Sequence, residues 1–249
     1  MINMAEKTAM LGSSIVGTSS VKNYKDAKYL LIVPGHAVYV GREAASAHLD
    51  DYWIGGFKGE AKFYTEHAFA GISEAGKDEK SILIFSGGQT REKAGPFSEA
   101  QSYWALSDQH LWLTMDRVKG RATTEDFARD SLENLAFSVG RFVQLTGEMP
   151  YTIVIFGWVF KEERYRRHAE ALGIEQWRLH YYGVNNPEGE ALAMAKKGEI
   201  KTLADFEASP LGRVGILAQK REQRDPFLRG SGAYRYYQLE KLFPLLRFQ

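Results

Sequence analysis

A chain of 249 residues, 44% hydrophobic and 25% charged, is long enough to bury a sizeable core and too apolar for a disordered polymer. Its 32 basic and 31 acidic residues leave a formal charge of +1, which supplies no overall field toward nucleic acid or an anionic membrane. With no cysteine there are no disulfides, thiolate metal sites or cysteine nucleophiles, and with no apolar run of membrane-spanning length the expectation is a soluble, cytoplasmic protein.

Residues 1–28 read as a loose N-terminal segment and residues 29–249 as a single domain with a C-terminal helical extension. Tyr29 to Val33 is a short apolar, β-branched run ending in Pro34-Gly35, which predicts a buried strand. Glu60 to Phe69 has mixed helical spacing and an expected end near Gly71, and Ser81 to Phe85 is a second buried strand. Ser98 is placed to cap a helix reaching about Leu106, with Glu99 in its first turn. Residues 107–123 carry no clear period, although LWLTM at 111–115 is a candidate strand. Asp130-Ser131 is a cap signal, and from it Leu132, Leu135, Ala136, Val139, Phe142 and Val143 form one apolar stripe ending at Thr146-Gly147. Tyr151 to Phe156 is a third strand, broken by Gly157; Lys161 to Leu172 is a charged helix stopping at Gly173, before a shorter strand at Trp177 to Tyr181. This alternation predicts an α/β three-layer sandwich with a mainly parallel, Rossmann-like sheet, its site at the carboxyl ends of the strands.

Four polar clusters fall on that edge. In Ser86-Gly87-Gly88-Gln89-Thr90-Arg91, glycine amides and hydroxyls can approach an anion and Arg91 can pair with phosphate or carboxylate; a plain strand-to-loop turn is the competing reading. After the first strand, Gly35 adjoins His36, which is a general base, a metal ligand, an anion donor or simply a polar loop residue. The acids Glu99, Glu125, Asp126 and Glu133, with Ser131 and Asn134 beside the last, suit a divalent metal ion or an acid/base pair, or merely start helices well. Lys161, Arg164 and His168 share one helix face, where two cations at a helix start need compensation from a bound anion, from Glu125 or from Glu99; a solvated charged face is the competing reading.

In their order, LIVPGH (31–36), IFSGGQTR (84–91), SEA (98–100), SLEN (131–134) and IFGWVFKEERYRRH (155–168) resemble the YdcF-like family of Rossmann-like domains, which includes SanA and ElyC. The stretch GRATTEDFARDSLENLAFSVGRF and the late KREQRDPF (220–227) are similar to its eukaryotic, especially fungal, branch. The resemblance spans roughly residues 29–230 and implies a three-layer α/β fold with a ligand loop at SGG and a nucleotide-like ligand such as S-adenosylmethionine. Where bacterial members place a histidine before the arginine of the last motif, this chain has Lys161 three residues before Arg164. The membrane anchor of SanA-like proteins has no counterpart here.

The expectation is therefore an enzyme, hydrolase or transferase, acting on a small phosphate-bearing or nucleotide-like metabolite. Gly35, Ser86, Gly87, Gly88, Thr90, Arg91, Ser131, Asn134 and Arg164 are assigned to the ligand, and Glu99, Glu125, His36 and Lys161 to the chemistry. A binding module for S-adenosylmethionine or another nucleoside is the alternative. From Arg213 onward the chain has eight basic against three acidic residues, and its aromatics Tyr234, Tyr236, Tyr237, Phe243 and Phe248 suggest a partner or homodimer surface.

Overall fold

A computed structural model describes residues 24–247. Strand β1 (Tyr29–Pro34) leads to a small antiparallel pair, β2 (Val38–Tyr39) and β3 (Trp53–Ile54), then to helix α1 (Ala61–Ala75) and β4 (Ser81–Ser86). Helix α2 (Glu99–Gln109), one-turn α3 (Asp116–Lys119), β5 (Ala122–Glu125), α4 (Ser131–Thr146), β6 (Thr152–Trp158), α5 (Glu162–Leu172) and β7 (Leu179–Asn185) follow. The chain closes with α6 (Gly189–Ala208), α7 (Gly215–Gln223), α8 (Ala233–Tyr236) and α9 (Leu239–Leu242).

Five strands form one all-parallel sheet in the order β5-β4-β1-β6-β7. The sheet strands are apolar at successive positions because both faces are covered. Leu30 and Ile32 join Ile82, Ile84, Ile153 and Ile155 under α4 and α5, whereas Leu31 and Val33 point with Leu83, Phe85 and Phe156 toward α1 and α2. This is the three-layer Rossmann-like sandwich, and the direction of winding reverses between β1 and β6. At that reversal the crossovers leave to opposite sides and open a crevice beyond the carboxyl ends of both strands.

Helix boundaries follow local chemistry. Ser98 and Gln101 form a reciprocal capping box at α2, Asp130 accepts the Glu133 amide at the head of α4, and Gly147 and Gly173 close α4 and α5 in the left-handed region. Several expectations need correction. Gly71 lies inside α1 rather than at its end, since a Cβ there would sit 2.5 Å from Val33 Cγ2; its bareness lets the helix approach the sheet. Gly157 does not break β6, whose ladder to β7 runs through it. LWLTM is not a strand: Leu111 to Thr114 all have positive φ, and the missing strand is β5, formed by the Thr124-Glu125 stretch read as an acidic loop. Helix α6 falls in the expected C-terminal helical extension, for which no individual helix bounds were expected. The partner surface also changes, because Tyr237 and Phe243 are buried in this chain's own core. Tyr236 is exposed, whereas residues 1–23 of the expected loose segment and Phe248 lie outside the described residues. Among the described residues, no helix is long and apolar enough to cross a membrane.

Candidate functional site

At the switch point the crevice widens into a cavity of about 390 Å³. Gly35 and His36 reach it from the end of β1, Phe160 and Lys161 from the end of β6, and Ser131 and Asn134 from the start of α4. Helices α6 and α7 roof it with Glu199, Lys220 and Arg224. Phe57, Tyr64 and Trp158 add aromatic wall.

Glu99 is the buried carboxylate of this wall. As the first residue of α2 it receives the Thr90 hydroxyl at Oε1, and its side chain passes between two glycines. A Cβ at Gly35 would lie 2.6 Å, and one at Gly87 2.8 Å, from Glu99 Cβ, so neither position has room for a side chain. Burial raises the Glu99 pKa above the usual carboxylate range, against the lowering pull of Thr90 and Arg91, so the group is biased toward carrying a proton.

The SGG loop itself is arranged differently from expectation. The Gly87 amide donates to the Glu125 carbonyl at 3.0 Å and the Gly88 amide to the Ala128 carbonyl at 2.6 Å, so both expected anion donors are already engaged. Their carbonyls accept the N–H groups of Ala100 and Glu99. The paired glycines thus wrap the start of α2, Gly87 making space for Glu99 and Gly88 for the Phe127–Ala128 backbone.

Ser86, Thr90 and Glu125 are not part of the cavity wall; they hold residues that are. Ser86 Oγ donates to Glu125 Oε2 at 2.6 Å and receives the Asn134 amide at 2.9 Å, while Glu125 Oε1 accepts the Phe127 N–H at 2.8 Å. Complete burial pushes the Glu125 pKa up to about 8. A pKa raised above the unfolded value contributes stability that is present in acid and lost as pH rises through 8. Glu125→Gln, which fixes the neutral state, is therefore expected to keep the fold and melt at the same or a higher temperature at pH 9. Clear destabilisation at pH 9, measured by calorimetry, contradicts this assignment.

Opposite Glu99 the wall is cationic. Arg164, expected to await an anion, is already compensated: its guanidinium forks onto Glu199 of α6, with Nε 2.8 Å from Oε1 and Nη2 on Oε2. Lys220 pairs with Asp205 at 3.2 Å. Arg129 is held by Glu133 and Asp225, and the other three cations have no carboxylate partner among the described residues. Arg91 donates only to the His36 carbonyl, at 3.3 Å, and its Nε is buried without a partner. Arg224 donates to the Arg129 carbonyl at 3.1 Å. Lys161 stands 5.8 Å from the centroid of the Phe160 ring. Burial and the adjacent Arg164 push the Lys161 pKa from 10.5 down to about 7.

His36 packs against Tyr64, His67 and Trp158, and burial, followed by the charge of Lys161, lowers its pKa and keeps the ring neutral. Its Nε2 is buried with no hydrogen-bond partner. Two orphaned buried donors or acceptors in one wall, each costing about 1–3 kcal/mol when left unpaired, mark a place where a polar ligand belongs. Among the described residues no three histidine, aspartate or glutamate side chains gather as a cation site.

At the head of α4 lies a buried ion network that sequence reading did not foresee. Glu133 receives Arg129 at both oxygens, Arg129 reaches on to Asp225 at 3.1 Å, and Arg221 from α7 donates to Asp130 at 2.6 Å. It ties the C-terminal helices to the floor of the cavity. Glu60, Glu199 and Arg224 were missed as well, and only Arg224, inside KREQRDPF, lay in a stretch that the sequence motifs single out.

No family model matches this chain, and no solved structure matches it. Among curated proteins it is similar to the uncharacterized protein YOR238W of Saccharomyces cerevisiae, 28% identical over 202 residues that cover 63% of this chain and 67% of the yeast protein.

Proposed function

We propose that this protein is a small-molecule enzyme, hydrolase or transferase, whose substrate carries a phosphate or nucleotide-like group bound in the crevice between β1 and β6. What supports the reading above all is the set of three cavity cations, Arg91, Lys161 and Arg224, that no described carboxylate neutralises. An oxyanion would receive charge-assisted hydrogen bonds from them and restore the proton of Lys161. The aromatic wall of Phe57, Tyr64, Trp158 and Phe160 offers flat apolar surface to a ring such as a nucleobase. Glu99, biased toward its protonated form, can give a proton to a leaving oxygen, and the neutral His36 can hold one. The doubly wound sheet agrees with the fold that the YdcF-like resemblance implies, although such sheets host many unrelated activities.

A second reading, a module that binds S-adenosylmethionine or another nucleoside without turnover, draws on the same wall, with Glu60 or Glu99 holding ribose hydroxyls. One experiment addresses both. Inorganic phosphate, AMP, a sugar phosphate and S-adenosylmethionine are each added in a thermal melt, where a ligand at a hundred times its Kd stabilises by about 2.7 kcal/mol. Mass spectrometry then identifies what remains in solution. At least one phosphate-bearing compound is expected to stabilise the protein and return as product. Recovery of unchanged ligand alone favours the binding module, and no stabilisation by any of them at millimolar concentration defeats the anion site.

A further inference from the structure

We propose that Ser131 and His168 form a nucleophile–base pair inside this cavity, with Ser131 Oγ taking up a phosphoryl group from a phosphate ester. The inference rests on the anion-binding reading above and adds the atom that reacts.

Ser131 lies in the cavity wall, only partly covered, and its Oγ is 2.8 Å from His168 Nε2. His168 comes from α5 and is buried, with the Phe206 ring edge-on at 4.4 Å and Tyr165 at 5.8 Å. A hydroxyl within hydrogen-bond reach of a fixed, neutral imidazole and open to a cavity is the arrangement that activated nucleophiles share. The hydroxyl has no capping duty, since Asp130 already accepts the Glu133 amide at the head of α4. The other serines near the site are spent: Ser86 on Glu125, and Ser98 on the capping box of α2 and on Asp126.

The surroundings suit the step. Burial holds the imidazole neutral, with its pKa pushed down to about 3; the neighbouring Asp130 carboxylate favours the imidazolium that proton transfer would create, against the opposing charges of Arg164 and Arg221. Ser131 stands in the first turn of α4, where the helix dipole favours negative charge, although the Glu133 N–H is already taken by Asp130. In the step, Ser131 Oγ attacks phosphorus, its proton passes to His168 Nε2, and the Oγ–P bond forms. The P–O bond to the leaving group breaks, and that oxygen takes a proton from the Glu99 carboxyl. Water then attacks phosphorus and gives a proton to the Glu99 carboxylate, the Oγ–P bond breaks, the imidazolium returns its proton to Oγ, and phosphate is released.

A fluorophosphonate probe forms the same Oγ–P bond by expelling fluoride. With the full chain, the label is expected on the tryptic peptide 130–141 at Ser131, with inorganic phosphate slowing the reaction. His168→Gln keeps a hydrogen-bonding group near Oγ but removes the proton acceptor; it is expected to label about 100-fold more slowly while its phosphate-induced melting shift persists. Labelling of H168Q at the wild-type rate overturns the pair. So does an unlabelled Ser131 in a wild-type protein that phosphate still stabilises, a result that needs no variant and leaves the anion site standing. Absence of any phosphate-induced shift in the wild type would instead remove the reading on which the pair rests.

Discussion

Replacing Arg221 by methionine is expected to lower the melting temperature by about 6–20 °C, the largest stability effect of any single change considered. Arg221 Nε donates to Asp130 at 2.6 Å and approaches Glu133 at 3.4 Å, while Nη1 holds the Leu211 carbonyl at 2.9 Å. Methionine fills a similar volume but leaves Asp130 to face the buried Glu133 with Arg129 as the remaining counter-ion. Removing one partner of a buried ion pair costs about 3–5 kcal/mol, because the surviving charge stays desolvated. Calorimetry at pH 7 measures the loss directly. The double variant Arg221→Met with Asp130→Asn should recover part of it, since the second change removes the stranded charge. An Arg221→Met melt within about 2 °C of wild type would mean that the network does not anchor α7 to the head of α4.

For Lys161→Met the expectation is opposite in sign for stability and for binding. The wild-type ammonium titrates near 7 when folded and at 10.5 when unperturbed, so the folded state binds fewer protons between these values. Stability contributed by this group is therefore full above pH 10.5, falls as pH drops toward 7, and stays level below it. Methionine removes that slope and should stabilise the ligand-free protein at pH 7 by roughly 2–4 kcal/mol after allowance for solvent screening. The same change should erase most of the phosphate-induced shift, because a charge-assisted contact contributes about 1.5–3 kcal/mol. Phosphate binding to the wild type should also take up a proton between pH 7 and 10, detectable as a buffer-dependent heat in titration calorimetry. A variant that is more stable yet still responds fully to phosphate would take Lys161 out of the ligand site.

Caps and long apolar runs were legible locally, whereas Gly71, Gly157 and LWLTM misled. The apolar runs that become β1, β4 and β6, the caps Ser98 and Asp130, and the closing glycines Gly147 and Gly173 all act through neighbours a few residues away. The doubly wound order then places the loops after β1 and β6 together, so His36 and Lys161 could be nominated for one cavity from their positions alone. What stayed hidden depends on contacts across long separations. Glu199 meets Arg164 over 35 positions, and Arg129 meets Asp225 over 96, with no pattern near either acid to announce it. The SGG loop misled for a related reason: glycine marks a close approach, but the sequence does not say to what. Here the visitor is the Glu99 side chain from inside the molecule, not a ligand from outside. Strand β5 was obscured because only its Ala122 and Glu125 are buried, so it lacks the apolar run of its neighbours.

The fork from Arg164 to Glu199 gives α6 a role beyond roofing. This 20-residue helix buries only Glu199 and Phe206 and leaves Met194 and Ile200 largely in water, so, beside the Asp205 to Lys220 pair, one of its few attachments is a charge that an incoming oxyanion could replace. An oxyanion in the proposed site would compete with the helix for the same guanidinium. Filling the crevice would loosen its cover, and emptying it would draw the cover back.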